Sequence, residues 1–383
     1  MGNSLLNDLS TKKPVNTGRP HVSPGMPPLD SSGRATSFFE FWPTWLMYLP
    51  VVVQWLLLSV WHRSLSLPLI ANPAIPLSGM VGVAKSAVFD VAGADARRWI
   101  LPWTLHQITD ELVEVQCQSV MAALASAGLG LPIVGKPEIG CRGVGVKLLQ
   151  FEHQLKADLA SFPAGGWIQF QQLSEWDAEA GVFYVREPDA SRGEVTSLTL
   201  KYIPYVVGDG CRTLGELVAA EPRAGELLHL YRNRHGDKWQ SVIAAGEPYR
   251  LIFAASHSRG AVFRDANRLI TTELSQALDR IFDDIPGFYY GRLDVKFKDL
   301  DSLLAGKDFV IIEINGASSE SIGIWDRNAG FWAAILTLLR QYNTLFKLGR
   351  ANRRRGHKSP GLLALLKAWR FENQLVKQYP END

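Results

Sequence analysis

The chain has 383 residues, of which 46% are hydrophobic and 20% are charged, so it is too long for one small core and too apolar for a disordered protein. Its cysteines, Cys117, Cys141 and Cys211, are few and far apart, which excludes a disulfide-stabilised mini-protein and indicates a reducing compartment. The formal net charge of +2 gives no reason to expect a nucleic-acid partner. The composition therefore predicts a large or two-part globular protein in the cytoplasm.

The charge is unevenly distributed along the chain. Seven basic residues and no acidic residue lie from Arg340 to Lys358, so the rest of the chain carries 33 basic and 38 acidic residues. A mildly acidic body therefore has a basic segment near its C-terminus. Such a segment can contact anionic lipid.

The N-terminal part combines a polar leader with an apolar run. Residues 1–36 are rich in Ser, Thr, Pro and Gly and lack the order of a secretory signal, which predicts a disordered leader. The uncharged run of 21 residues at 41–61 is long enough to cross a bilayer. Pro43 and Pro50 disturb a straight helix, and the four tryptophans are equally typical of a helix lying in the membrane interface. Residues 37–64 are expected to form an apolar helix that either contacts a membrane or packs on the soluble body.

The remaining sequence indicates mixed secondary structure. Residues 64–85 are rich in Pro and Gly and are expected to be irregular. Apolar residues at helical spacing predict a helix over residues 105–127, ended by two glycines. Short β-branched runs then alternate with helical stretches, which predicts an α+β body over residues 85–340. Strands are expected at 167–170, 182–185, 197–204, 251–254 and 309–314, and helices at 214–220, 266–282 and 362–378.

Three oxygen-bearing side chains are expected to converge near the end of this body. If Asp294 lies on one strand and Glu313 and Asn315 on the next, strand alternation puts Glu313 and Asn315 on one face, directed at Asp294. Carboxylate and amide oxygens without imidazole or thiolate are the ligands that Mg²⁺ bridging phosphates prefers. The alternative is that a Glu-x-Asn at a strand end is only a turn signal.

A lysine followed by glycines lies upstream. Lys136 comes after an apolar strand at 131–134, and Gly140, Gly143 and Gly145 follow it. An ammonium group beside a flexible turn can contact phosphate oxygens together with backbone N–H groups. The order of residues differs from the Walker pattern, because the lysine precedes the glycines.

The order of these elements resembles the ATP-grasp superfamily, in particular the ligases related to D-alanine:D-alanine ligase, glutathione synthetase and cyanophycin synthetase. The resemblance extends over residues 133–321, about half of the chain. Its specific features are the Lys-Pro-Gly-rich loop, the Arg-x-Asp motif and the Glu-x-Asn motif, which here are Arg292, Asp294, Glu313 and Asn315.

The resemblance implies a division of the chain. Residues 131–340 would form an ATP-grasp domain, in which two α+β subdomains grip ATP. Residues 65–130 would form an atypical region in front of it, and residues 341–383 a basic linker and a C-terminal helix.

The resemblance also implies roles for individual residues. Lys136 and Lys201 would contact the nucleotide phosphates, with the glycine loop covering them. Asp294, Glu313 and Asn315 would hold Mg²⁺ or Mn²⁺. Arg292 would stabilise the transferred phosphoryl group or the acyl phosphate.

The adenine hinge is expected on the segment 168–173. Gln171 stands where the family commonly has Glu, and Leu173 is the apolar residue that follows. Glu179 is a candidate for binding the ribose hydroxyls, and the alternative for it is a solvated loop acid.

A second basic loop is expected on the substrate side. His257 and Arg259, with Arg264, resemble the family loop that meets the acceptor or acyl group, and Arg186 is expected to line the same cleft. The alternative is that Arg259 and Arg264 are surface ion-pair partners.

The resemblance implies an ATP- and Mg-dependent carboxylate ligase that forms an acyl phosphate, which an amine, thiol or hydroxyl attacks to release ADP and phosphate. The expected partners are a small carboxylate and an amine, with no nucleic acid and with optional contact to the inner face of the membrane. The alternatives are a non-catalytic nucleotide-binding protein and a peripheral membrane scaffold.

Overall fold

The computed structural model describes residues 20–32, 34–40, 42–140 and 143–380. In these ranges the chain is a mixed α+β protein, and every strand pair within its sheets is antiparallel. The predicted α+β class is confirmed. Identification with the ATP-grasp fold stays a prediction and is taken up under the proposed function.

The strands are β1 (Trp103–Gln107), β2 (Ile133–Pro137), β3 (Lys147–Leu149), β4 (Trp167–Gln172), β5 (Ala178–Val185), β6 (Glu194–Tyr202), β7 (Tyr205–Val207), β8 (Pro248–Arg250), β9 (Val262–Asp265), β10 (Tyr290–Phe297) and β11 (Phe309–Asn315). The α-helices are α1 (Thr44–His62), α2 (Ser86–Val91), α3 (Ala94–Arg97), α4 (Val113–Ser126), α5 (Glu152–Ser161), α6 (Leu214–Ala220), α7 (Leu228–Arg234), α8 (Thr272–Asp283), α9 (Leu300–Leu304), α10 (Phe331–Arg354) and α11 (Gly361–Val376). Short 3₁₀ turns lie between them, at Leu67–Ile70, Pro76–Gly79, Ala224–Leu227, Gly236–Lys238, His257–Arg259, Asn267–Leu269 and Ile322–Trp325.

The first sheet has four strands in the order β1-β4-β2-β3. Helices α4 and α5 cover one of its faces, where Val120, Leu159, Ile133 and Phe170 form a common buried core. This sheet carries Lys136 on its β2 strand and Gln171 on β4.

The second sheet has five strands in the order β11-β10-β5-β6-β9. Its core is closed by α8, whose apolar residues recur at helical spacing and are buried. The side chain of Thr271 accepts a hydrogen bond from the backbone N–H of Leu274 and so caps the start of α8. The sheet carries Glu179, Lys201, Asp294 and Glu313 on four neighbouring strands.

Helix α1 packs along α10 in a parallel direction. Near its start Trp42 contacts Phe331, in its middle Trp55 contacts Tyr342, and at its end His62 stacks on Phe346. One side of α1 is therefore joined to the body, and its opposite side is exposed.

Several sequence-based element predictions are confirmed. Strands β4, β5 and β11 include the predicted runs, and β6 contains the predicted run as far as Tyr202, where the strand ends two residues early. Helix α6 matches its predicted range, and the C-terminal helix occurs at α11. The predicted strand at 251–254 is wrong, because the neighbouring residues Pro248–Arg250 are the ones that pair with β7.

The predicted helix over 105–127 is only partly correct. Residues Trp103–Gln107 form β1 and pair with β4, and the helix begins at Val113. The pairing supplies backbone hydrogen bonds to a segment whose apolar spacing alone fits either structure. Similarly, α8 begins at Thr272 rather than near Ala266, because the capping threonine precedes it.

The expectation of a disordered leader does not hold for residues 20–32 and 34–36. Met26 is buried in the core of the second sheet, and the hydroxyl groups of Ser23 and Tyr205 form a hydrogen bond. Arg327 pairs with Asp30. Apolar contact and ion pairing thus hold this segment on the body, and residues 1–19 lie outside the described ranges.

Two predicted boundaries do not coincide with structural ones. The boundary at residue 131 separates β1 from its partner β4 within one sheet. The boundary between residues 340 and 341 falls inside α10, whose regular helix continues to Arg354. The first part of the predicted basic linker is therefore helical.

Candidate functional site

A cleft of about 990 Å³ lies between the two sheets. Strand β2 contributes Lys136 from one side, and the strands of the second sheet contribute Lys201, Glu179, Asp294 and Glu313 from the other. Most predicted site residues line this cleft, namely Lys136, Gly140, Gly143, Gln171, Leu173, Glu179, Lys201, His257, Arg292, Asp294, Glu313 and Asn315.

Lys136 is buried among neutral oxygen atoms. Its Nζ donates to Oε1 of Gln171 at 2.6 Å and to the carbonyl of Ile312 at 3.2 Å. Burial lowers the pKa of Lys136 to about 8, and attraction to Glu313 offsets only part of that effect. Both partners are uncharged, so an anionic ligand oxygen could replace them as the acceptor for this ammonium group.

Lys201 is buried between two carboxylates instead. Its Nζ lies 2.9 Å from Oδ1 of Asp294 and 3.0 Å from Oε1 of Glu179. Burial lowers the pKa of Lys201, but the attraction of the two carboxylates outweighs it, and the pKa is raised overall. Lys296 lies 2.9 Å from Oε2 of Glu179, so this carboxylate is shared by two lysines.

The shared carboxylate decides between the two interpretations of Glu179. It lies on β5, is buried and is held by Lys201 and Lys296, so the alternative of a solvated loop acid is wrong. Burial raises the pKa of Glu179, but Lys296 and Lys201 lower it by more, so the carboxylate remains ionised. Contact with a ribose stays a prediction.

The register of β10 and β11 brings the predicted metal ligands together. Asp294 lies directly opposite Glu313, and Arg292 lies opposite Asn315. The register then shifts at a bulge between Asp294 and Val295. Strand pairing therefore confirms that the two motifs face each other.

Asp294 is ion-paired on both sides. Oδ1 of Asp294 accepts from Nε of Arg292 at 3.0 Å as well as from Lys201. Burial raises its pKa, whereas Arg292 and Lys201 lower it by more, so the carboxylate is negatively charged at neutral pH. Within the described ranges, the side chain of Glu313 takes part in no hydrogen bond or ion pair, so its carboxylate could accept a cation.

The chemistry of these side chains fits a magnesium ion that also binds a ligand. Among the described residues no group of three or more His, Cys, Asp or Glu side chains could hold a metal alone. The candidate set is two carboxylates and one amide, and Mg²⁺ typically takes only one or two protein carboxylates together with phosphates and water. The amide nitrogen of Asn315 is buried with no hydrogen-bond partner. Flipping the side-chain amide, which exchanges its oxygen and nitrogen, would put the oxygen where the nitrogen now lies.

The charges of the lining support the same interpretation. In the described part of the cleft there are six Lys and Arg and eight Asp and Glu side chains. A polyphosphate is strongly negative, and this lining has a formal charge of −2 without a metal. A divalent cation would offset part of this negative charge.

The predicted glycine loop connects β2 to β3 at the edge of the cleft. Gly140 and Gly143 line the cleft. Gly143 has a φ of +72°, in the left-handed region that favours glycine. Nζ of Lys85 donates to the carbonyls of Pro137 at 2.8 Å and Gly140 at 3.2 Å, so a second lysine holds the loop.

The predicted hinge forms the apolar end of the cleft. Leu173, Val134, Leu148 and Ile312 line this region and could enclose a planar base. Gln171 does not present a free amide there, because its Oε1 accepts from Lys136 and its Nε2 donates to the carbonyl of Leu101. Gln171 is thus a hydrogen-bond partner of Lys136.

His257 lies at the other end of the cleft. Its Nε2 is 2.7 Å from Oε1 of Glu40, and its ring stacks on Trp325. Arg223 also pairs with Glu40. Burial raises the pKa of Glu40, but the hydrogen bond from His257 and then Arg223 lower it by more, to about 2.

Three predicted site residues lie outside the described cleft lining. Gly145 packs against Pro137 on the far side of the glycine loop. Arg259 follows His257 but belongs to the loop that approaches Gly143. Arg264 lies 3.9 Å from Asp326, so it has an ion-pair partner as the alternative predicts, but both side chains are largely buried and not at the surface.

Arg186 is not in the cleft lining either, which corrects its prediction. It pairs with Asp283 at the end of α8, and it donates to the carbonyl of Phe282. It therefore joins the sheet to the helix.

Sequence reasoning missed several residues of the cleft. Lys296 could have been found, because it lies on the same strand face as Asp294 by alternation. Lys85 could also have been found, because it lies next to a glycine-containing segment, residues 79–82, as Lys136 does. Glu40, Trp42 and Tyr48 carry no local signal, because the fold brings them there from the start of the chain.

No protein-family model matches the chain, and no curated protein matches it. Among solved structures, the chain is similar to a bifunctional glutathione synthetase from Pasteurella multocida, with 16% sequence identity and a TM-score of 0.34. The match covers 67% of this chain and 36% of that chain, so the chain spans little more than a third of that protein's length. The interpretation of the cleft therefore depends on the chain's own residues and distances.

Proposed function

We propose that the protein is an ATP-grasp enzyme that binds Mg·ATP between its two sheets and activates a carboxylate for ligation. The observation that carries this proposal is the meeting of Lys136 from one sheet with Lys201, Asp294 and Glu313 from the other in a single cleft. Two lysines from separate sheets next to paired acidic residues suit a chain of phosphates with a bound cation.

The nucleotide would lie along the cleft from its apolar end to its charged end. The base would lie among Leu173, Val134 and Ile312, and the phosphates beside Lys136 and Lys201. Asp294, Glu313 and Asn315 would hold Mg²⁺, which neutralises phosphate charge. The ion pair of Lys201 with Asp294 keeps both side chains in place before the nucleotide arrives.

The proposed reaction has two steps. A carboxylate oxygen of the substrate attacks the γ-phosphorus, and the bond from that phosphorus to ADP breaks, which leaves an acyl phosphate. An amine nitrogen then attacks the acyl carbon, the bond to the phosphate oxygen breaks, and the amine loses a proton. Arg292 would stabilise negative charge on the transferred phosphoryl group.

The acceptor would lie at the end of the cleft that contains His257. The imidazole there could take the proton that the attacking amine releases. Glu40 accepts a hydrogen bond from His257 and would stabilise the protonated ring. This assigns to Glu40 a positioning role that the sequence did not suggest.

The test is ADP release in the presence of ATP and Mg²⁺ from a panel of amino acids, polyamines and hydroxy acids, with and without detergent. Glu313→Gln is the sharpest variant, because Glu313 is not engaged in an ion pair that supports the fold. We expect it to lose more than about 100-fold in turnover. Glu273→Gln, an exposed acid on α8, is the matched control and should retain full activity.

Three results would contradict the proposal. Full ADP release by Glu313→Gln would remove the metal assignment. Tight nucleotide binding without turnover over the whole panel would favour the non-catalytic alternative, and vesicle binding without any nucleotide affinity would favour the scaffold.

A further inference from the structure

An exposed apolar stripe runs along the whole of α1. Its members recur at helical spacing on one side of the helix. They are Trp45, Leu49, Val52, Val53, Leu56, Leu57 and Val60, and Trp61 extends the stripe at the end. Val60 and Trp61 are each 79% exposed, and no described residue covers this side of the helix. An exposed patch of this length on a water-soluble surface marks an interaction site.

The opposite side of α1 is fixed to the body. Met47 and Val51 are buried against α10 residues including Ala334 and Leu338. The side chain of Gln54 donates to the carbonyl of Leu339 at 3.0 Å. The 18 residues Trp45–His62 are long and apolar enough to cross a membrane, and 17% of them are buried. Crossing a bilayer would require breaking these contacts with α10.

The C-terminal end of α1 meets a group of basic residues. Arg63 follows the helix directly, and Arg353 donates to the carbonyl of His62. Lys347, Arg350 and Arg354 are exposed on the last turns of α10. Burial and the nearby Arg350 and Arg353 lower the pKa of His62, so this residue adds little charge at neutral pH. Asp189 forms an ion pair with the neighbouring Arg355. Among the described residues, no carboxylate forms an ion pair with the basic residues named above.

We infer that α1 docks in the plane of an anionic membrane, with its apolar stripe among the lipids and the basic group on the headgroups. An apolar stripe next to cationic residues is the pattern of interfacial helices. Trp42 and Tyr48 belong to the same segment and line the cleft, so docking brings the cleft to the membrane surface. The inference does not depend on the proposed reaction, because membrane docking needs no nucleotide.

The test is co-sedimentation of the full chain with phosphatidylcholine vesicles, with and without about 30% phosphatidylserine, in the absence of nucleotide. We expect binding to the anionic vesicles that weakens as salt rises. The double variant Leu57→Glu, Val60→Glu should bind about tenfold or more weakly. The control is Leu112→Glu, Val242→Glu, which adds the same charges at exposed apolar positions away from α1 and should bind like the unchanged protein.

The basic group is tested separately. Arg350→Glu, Arg354→Glu should lose about tenfold or more in affinity for anionic vesicles and little for neutral ones. Arg268→Glu, an exposed arginine near α8, is the control and should leave both affinities unchanged. Unfolding temperatures of all variants should match that of the unchanged protein, because the substituted side chains are exposed.

The orientation of the helix is tested by labelling. Pro43→Cys and Arg63→Cys, in a background with Cys141→Ser and Cys211→Ser, mark the two ends of α1. A membrane-impermeant maleimide added outside the vesicles should label both ends. Labelling of only one end would show a spanning helix and overturn the inference.

Two further results would overturn it. One is unchanged vesicle binding by the Leu57→Glu, Val60→Glu variant. The other is a dimer in solution that this variant converts to a monomer, with no binding to any vesicle, since a second copy of the chain would then be what covers the stripe.

Discussion

The two lysines that face the cleft differ in what surrounds them. Lys136 is held by a carboxamide and a backbone carbonyl, whereas Lys201 is held by the carboxylates of Asp294 and Glu179. Burial therefore lowers the pKa of Lys136, while the pKa of Lys201 is raised. The comparison indicates that Lys201 belongs to the framework of the site and that Lys136 is the cation free to respond to a ligand.

The largest effect is expected from Lys201→Met. This change leaves Glu179 and Asp294 buried with one cation fewer, and it should lower the free energy of unfolding by about 3 kcal/mol or more. Urea unfolding measures this directly. Lys298→Met, at an exposed lysine 4.0 Å from Asp308, should change it by about 0.5 kcal/mol or less. Equal stability of the two variants would contradict the framework role of Lys201.

Lys136→Met should have the opposite effect: it should lower nucleotide affinity and leave the stability of the fold unchanged. Its stability should not fall, because the change removes a buried charge that has no carboxylate partner within hydrogen-bond distance. Its affinity for a non-hydrolysable Mg·ATP analogue should fall about tenfold or more, since a charged hydrogen bond to phosphate is lost. Calorimetric titration and urea unfolding of the same sample separate the two effects. If Lys136→Met lost stability but kept its nucleotide affinity, Lys136 would be the framework residue, contrary to the comparison.

The pH dependence of nucleotide binding should follow Lys136. A phosphate binds the protonated lysine, so affinity should fall about tenfold per unit as pH rises above about 8. The contribution of Lys136 to folding has the opposite sign, because the unfolded lysine keeps its proton to higher pH and stability rises between the two pKa values. Titrations between pH 7 and 9 should show this fall, and Lys136→Met should remove it.

The smallest and most specific change is Gln171→Glu. It gives Lys136 the kind of partner that Lys201 already has, so the pKa of Lys136 should rise. The pH at which nucleotide affinity begins to fall should then move upward by about one unit. Gln118→Glu, on the exposed side of α4, should leave this pH unchanged. An unmoved midpoint in Gln171→Glu would mean that another group controls the pH dependence.

The parts of the site predicted from sequence are those fixed by local pattern. Strand alternation placed Glu313 and Asn315 on one face, and the hairpin of β10 and β11 joins segments close in sequence, so the meeting with Asp294 followed. The lysine and glycine pattern of the β2–β3 hairpin was predictable for the same reason.

The parts that were missed depend on distant contacts. Strand β1 was taken as helix because its partner β4 lies about 60 residues away and leaves no trace in the local spacing. Glu40 gains its role from Arg223 and His257, which follow it by 183 and 217 residues. The ordered segment at 20–32 likewise owes its place to the core of the second sheet.

The register that places Asp294 opposite Glu313 also has a cost for the protein without a cation. Like charges directly across two strands destabilise their pairing. Among the described residues, Asp294 has ion-pair partners at this point and the Glu313 side chain has none. If the proposed cation is held by these residues, it would offset this repulsion. The pairing of β10 with β11 would then be stronger with the cation than without it.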